Sequence, residues 1–175
     1  MVKSNDIFQF SWEENQGLDL HLIAWQQRAL KGDFDPIILE MTQALYSAFC
    51  ELRKICKIMA EGKPGTEHSY YQYMFELFAH NHFLSIAVNR VLKIFGIAYP
   101  KRFEGFHKKH EVTIDRVNRY RNALEHQTDI SRRKDPPKFF NNLSSNGYES
   151  EDNVLPYKEI EDLLNEAMQE IENIS

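Results

Sequence analysis

At 175 residues, with 42% hydrophobic and 27% charged residues, seven Gly and six Pro, the chain has the make-up of one globular domain, 1–175, and lies outside the disordered, collagenous and disulfide-dense classes. Its net charge of −5 argues against a protein that coats nucleic acid non-specifically. Residues 1–10 hold no apolar core long enough for a signal peptide and no later segment has the uninterrupted apolar length of a membrane span, so the expected location is the cytoplasm, with no membrane partner.

From Asn5 to Gln16 no clear period emerges, and Phe8, Phe10 and Trp12 are expected to pin an N-terminal arm to the body. Gly17 precedes a short predicted helix, Leu18 to Leu30, with Leu18, Leu22, Trp25 and Ala29 at helical spacing. Lys31-Gly32-Asp33 ends it, and Asp35-Pro36 signals the next start, an N-cap acceptor followed by a proline at the first helical position. From Ile37/Ile38 to Met59 apolar residues step by threes and fours, a long amphipathic helix. Cys50 and Cys56, among Phe49, Leu52 and Ile55, suit small buried side chains better than a disulfide. Gly62, Pro64 and Gly65 break the chain, after which Thr66 or Ser69 can cap.

The helix that follows, roughly Glu67 to Phe95, is apolar on more than one face and should be the most enclosed of the bundle. Gly96 and Pro100 are expected to end it, and a fourth helix to run from about Arg102 or Phe106 to His126. Arg132-Arg133-Lys134-Asp135-Pro136-Pro137 reads as a basic loop kept out of helix by its prolines. Lys138 to Leu143 and Tyr148 to Leu155 flank Ser144-Ser145-Asn146-Gly147, an Asn-Gly hairpin signal. The last helix, Tyr157 to Ile171, starts behind Pro156. With no internal repeat, the expected fold is all-α: an antiparallel bundle of four main helices plus a short N-terminal helix, with a small β-hairpin before the last helix.

Charge is uneven along the chain. From Lys101 to Lys138 eleven Lys and Arg face six Asp and Glu, while the remainder carries ten basic and twenty acidic residues. The basic part contains Arg121-Asn122-Ala123-Leu124-Glu125-His126. An arginine stays charged at any physiological pH and a histidine titrates near neutrality, a pair suited to chemistry at a phosphate. With Ile114 set at 0°, Val117, Tyr120 and Leu124 fall at about 300°, 240° and 280° and define an apolar stripe. Asp115, Asn122, His126 and Arg119, at about 100°, 80°, 120° and 140°, form a separate polar stripe facing water or a second subunit. Arg121, at about 340°, sits on the edge, its stem long enough to bring the guanidinium round to the polar face.

Arg121 to His126 resembles the R-x4-6-H signature of the HEPN superfamily, including the polar residue after the Arg, and Asp115 stands where related eukaryotic sensor ribonucleases carry an Asp six before it. The resemblance covers about a dozen residues. It implies a single HEPN-like helical domain acting as a metal-independent endoribonuclease, a toxin or phage-defence effector that cleaves tRNA or other structured RNA. His126 would be the general base or acid, Arg121 would stabilise the phosphorane, Asn122 would orient a phosphate or the imidazole, and Asp115 would position Arg121 or His126. Family members pair two motifs across a cleft, so a homodimer through the fourth helix is implied; a cognate antitoxin is a further partner that the resemblance admits. Arg116, Arg119, Lys108, Lys109, Arg132 and Arg133 are the candidate RNA contacts. The plainer reading of the same residues has Arg121 paired with Asp115, Glu125 or a neighbouring carboxylate, His126 serving the helix C-terminus, and the basic residues forming a solvated face.

No cofactor is expected. Glu104-x-x-His107 has di-iron spacing, but a second copy is lacking and Gly105 interrupts it, so no metal site is predicted. His80 and His82, with Glu76, read as satisfied side chains rather than ligands. Neither a Walker-type nor a dinucleotide-binding glycine loop is present. Two rivals to the nuclease stand: a non-catalytic HEPN-like module binding RNA, a nucleotide or a protein, and a structural helical adaptor.

Overall fold

The computed structural model describes residues 27, 31–32, 35–62, 65–125, 143–144, 147–150 and 153–173. Five helices and three short strands are seen among them: α1 (Pro36–Glu61), α2 (Glu67–Ala98), α3 (Pro100–Lys109), α4 (Glu111–Glu125), β1 (Leu143–Ser144), β2 (Gly147–Ser150), β3 (Asn153–Pro156) and α5 (Tyr157–Glu172). An all-α bundle is the result, with a small sheet as its appendage. The expected N-terminal arm and all of the short N-terminal helix but helical Gln27 lie outside the described residues, as does the basic loop with Arg132 and Arg133.

The start signal of α1 works as the sequence implies. Asp35 Oδ1 accepts the Ile37 N–H at 2.8 Å with Pro36 at the first helical position, so the two cover helix-end donors that would otherwise lack partners. Its other oxygen accepts the Tyr99 hydroxyl at 3.1 Å, tying this end to the corner after α2. At the head of α2 it is Thr66 that caps, taking the Ser69 N–H at 3.3 Å. The two long helices run antiparallel, stitched by Glu40–Arg90 at 3.0 Å near one end and Glu51–His80 at 2.6 Å further along. The α1 face carrying Met41, Leu45, Phe49, Leu52 and Ile55 is buried. Cys56 is buried and Cys50 half-buried, and neither forms a disulfide.

Two helix boundaries differ from the sequence reading. Gly96 does not stop α2 but lies inside it: a Cβ there would stand 3.2 Å from the Phe103 ring, so the glycine lets the aromatic cluster of Phe95, Phe103 and Phe106 close over the helix. The predicted fourth helix is two helices. Pro100 opens α3, and at His110 the backbone leaves the helical region (φ −108°, ψ 17°) while its N–H still reaches Phe106 O and its carbonyl takes the Ile114 N–H. The His110 ring lies on Phe106 and meets Glu166 of α5 at 2.9 Å, which fixes the bend from outside the helix.

A third correction concerns α2, which is not the most enclosed helix. Its Leu77, Leu84, Val88 and Phe95 are buried, but Phe75 is 68% and Phe83 55% exposed. Its extra apolar residues exceed what α1, α3 and α4 can cover. The expected hairpin is present as the pairing of β1 with β2, Ser144 opposite Gly147, but the run from Tyr148 to Leu155 splits into β2 and β3, giving an antiparallel three-stranded meander. Gly147 sits so close to β3 that a Cβ would collide with the Leu155 carbonyl.

Helix α5 closes the core with Tyr157, Ile160, Leu163, Leu164, Ala167 and Ile171. Each buried Ile or Leu among them contributes about 1.5–3 kcal/mol, against about 0–1 kcal/mol for the exposed ion pairs around them, so the apolar stripe decides where α5 sits. The Tyr157 hydroxyl donates to Asn81 Oδ1 at 3.0 Å, and Asn81 Nδ2 donates to Leu77 O at 2.8 Å. Beside them is a cavity of about 10 Å³, room for one water and no ligand.

Candidate functional site on α4

From Ile114 to Asn122 the expected stripes are present. Ile114, Val117 and Tyr120 are buried against the bundle, whereas Asp115, Arg119 and Asn122 are exposed. An amphipathic period of 3.6 thus leaves the Arg-Asn motif at the surface with one edge towards α2.

Arg121 crosses that edge. Its Nη1 donates to Asn89 Oδ1 on α2 at 2.9 Å, and its Nη2 donates to Asn122 Oδ1 at 2.7 Å. Asn89 is the residue that the sequence does not single out. A guanidinium carries donors only, so the amide turns its oxygen to Arg121, and its Nδ2 is then directed to Asn118 Oδ1 at 2.8 Å. Three asparagines from two helices and one arginine form a continuous hydrogen-bonded chain. No pattern in the sequence joins Asn89 to Arg121, 32 positions away; only the packing of α2 against α4 does.

Several of the other predicted residues are engaged with carboxylates or with each other. Asp115 pairs with Arg119 at 2.6 Å, one turn along the same helix, rather than supporting Arg121. Arg116 Nη1 donates to both oxygens of Glu159, at 3.0 and 2.9 Å, and Glu159 also accepts the Thr113 hydroxyl. Lys109 meets Glu166 at 2.7 Å. Lys108 is exposed. His126, Arg132 and Arg133 lie outside the described residues. Two of these basic residues, Lys109 and Arg116, are thus answered by the acidic α5. Burial pushes the Glu166 carboxyl up, but hydrogen bonds from Lys109 and His110 outweigh this and hold it below the usual carboxylate range.

Next to the motif, an open groove of about 520 Å³ runs along the polar stripe, lined by His107, Glu111, Asp115, Arg116, Asn118 and Arg119. Asn118 belongs both to the groove and to the amide chain that reaches Arg121. Elsewhere His80 Nδ1 contacts Glu51, half-buried between α1 and α2, the satisfied arrangement expected for it. Among the described residues no helix is long and apolar enough to cross a membrane. No protein-family model, curated protein or solved structure matches the chain.

Proposed function

We propose that the chain is a metal-independent endoribonuclease of HEPN type, a toxin or phage-defence effector acting on tRNA or another structured RNA. The observation that supports this most is the Arg121 guanidinium at the surface end of α4, hydrogen-bonded by the amides of Asn89 and Asn122 on the helix that leads into His126.

In this reading His126 removes the proton from an RNA 2'-hydroxyl, which attacks the adjacent phosphorus. The P–O5' bond breaks, leaving a 2',3'-cyclic phosphate and a 5'-hydroxyl that takes up a proton. Charge accumulates on the phosphorane oxygens between these events, and Arg121 stabilises it with paired N–H donors that lysine could not reproduce. Asn122 contributes by keeping that fork turned to the polar stripe. On a regular helix Arg121 and His126 point about 140° apart, so two copies of the motif, brought together in a homodimer through the polar face of α4, complete the site.

Purified protein incubated with total RNA in EDTA should release fragments ending in cyclic phosphate. Arg121→Ala and His126→Ala should each lower cleavage by about 100-fold or more while preserving the helical circular dichroism spectrum, a loss in the range seen when a transition-state donor is removed. Undiminished cleavage in both variants rules out these roles. The pairing of Arg116, Arg119 and Lys109 with carboxylates favours the alternative, a non-catalytic HEPN-like module binding RNA, a nucleotide or a protein. Salt-dependent RNA binding with no cleavage products would support that module over the enzyme.

A further inference from the structure

We infer that Asn89 is a positioning residue of the Arg121 site: a neutral amide on a neighbouring helix that directs the guanidinium and itself brings no charge to it. The inference rests on the nuclease reading for its catalytic consequence but not for its geometry.

Arg121 has a flexible stem and starts on the edge between the buried and polar stripes, so its own helix does not determine where the guanidinium points. Two bonds do. One goes to Asn122 on the same helix, which moves with Arg121; the other goes to Asn89, which belongs to α2 and provides an external reference. Asn89 is itself held, because rotating its amide to release Arg121 would also break the bond from Nδ2 to Asn118 Oδ1. The half-buried setting strengthens both bonds relative to water.

The identity of the side chain matters as much as its place. An aspartate at 89 would accept the same hydrogen bond, but as a carboxylate it would form an ion pair and draw the guanidinium away from an anionic ligand. It would also turn an oxygen, not an N–H, towards Asn118 Oδ1. Asparagine supplies the acceptor, keeps the anchor and adds no charge. A site whose arginine must meet a phosphate requires that combination.

The test compares wild type with Asn89→Ala and Asn89→Asp, using nitrogen-15 NMR of the arginine side chains together with cleavage of a short RNA in EDTA. In the wild type the Arg121 Nη groups should give separate, slowly exchanging signals, identified by their disappearance in Arg121→Ala. Asn89→Ala should merge them and lower kcat by about 10- to 100-fold with KM within about twofold, the range expected when a reacting group is misplaced rather than removed. Asn89→Asp should keep the Arg121 signals ordered yet weaken binding of a 2'-deoxy, uncleavable oligonucleotide by about tenfold, the scale of a single phosphate interaction. Retained ordering with reduced affinity is a pattern that general destabilisation does not produce, and melting temperatures monitor the fold of each variant. Should Asn89→Ala fail to fold, the Asn89→Asp pair of readouts decides alone. Unchanged Arg121 signals in Asn89→Ala, or wild-type affinity in Asn89→Asp, overturns the inference. A wild type that cleaves nothing removes the nuclease reading, while the NMR and binding arms still decide whether Asn89 holds Arg121.

Discussion

Tyr157 has no exposed surface, and its hydroxyl reaches Asn81 from the far end of the chain. Burial holds that phenol well above its usual range, with the Asn81 hydrogen bond only partly opposing the shift. The folded protein therefore keeps the proton when the unfolded chain, with an ordinary phenol pKa of about 10, has released it. Stability is fully present below that pH and declines as pH rises through it. Tyr157→Phe should cost about 1–3 kcal/mol near neutrality, because the Asn81 carbonyl oxygen is left without its donor. The same variant should lose up to about 1.4 kcal/mol per pH unit of the alkaline slope. Urea midpoints measured between pH 8 and 11 check both. Residue roles are partly legible in the sequence: the helical angle alone places Arg121 on a helix edge, and its guanidinium does reach the polar face. Asn89 cannot be found that way, since hydrogen bonds between helices leave no period in the sequence.

At the level of elements, the most exacting contact is between β2 and β3. Gly147 faces Pro156 across the ladder with no room for a methyl group. Gly147→Ala should destabilise the protein by roughly 1–3 kcal/mol, the usual cost of forcing atoms into a packed site, seen as a lowered urea midpoint with an unchanged slope. Most element boundaries follow local chemistry that a sequence displays, such as the Asp35-Pro36 start and the Thr66 cap. The exceptions have tertiary causes. Gly96 continues α2 because Phe103 needs its empty face, and the bend at His110 is set by Glu166, 56 positions further on. Neither partner is visible from within the helix being read.

Over the whole molecule, packing answers part of the charge asymmetry of the sequence. The basic segment of α3 and α4 lies against α5, whose Glu159 and Glu166 answer Arg116 and Lys109, with Glu170 near Arg102 at 3.6 Å. Among the described residues, three of the basic side chains counted along the chain are thereby paired with carboxylates of α5. The outer side of α2 has the opposite property, an apolar surface with Phe75 and Phe83 in water. Phe75→Ser and Phe83→Ser should each change stability by no more than about 0.5 kcal/mol, the scale of surface substitutions, while a buried Phe would cost several times more. Thermal denaturation of the two variants distinguishes these outcomes.

Tyr157 also fixes an order of events during synthesis. Helices α1 and α2 are consecutive and pair with each other, so this hairpin can form as soon as both have left the ribosome. The ring that seals its inner wall follows Asn81 by 76 residues. Counted from the end of α2 at Ala98, and at synthesis rates of about 5–20 residues per second, the delay is roughly 3–12 s. For that interval Leu84 and Val88 lack the ring that will later stand beside them, and the nascent chain presents an apolar wall to other chains and to chaperones.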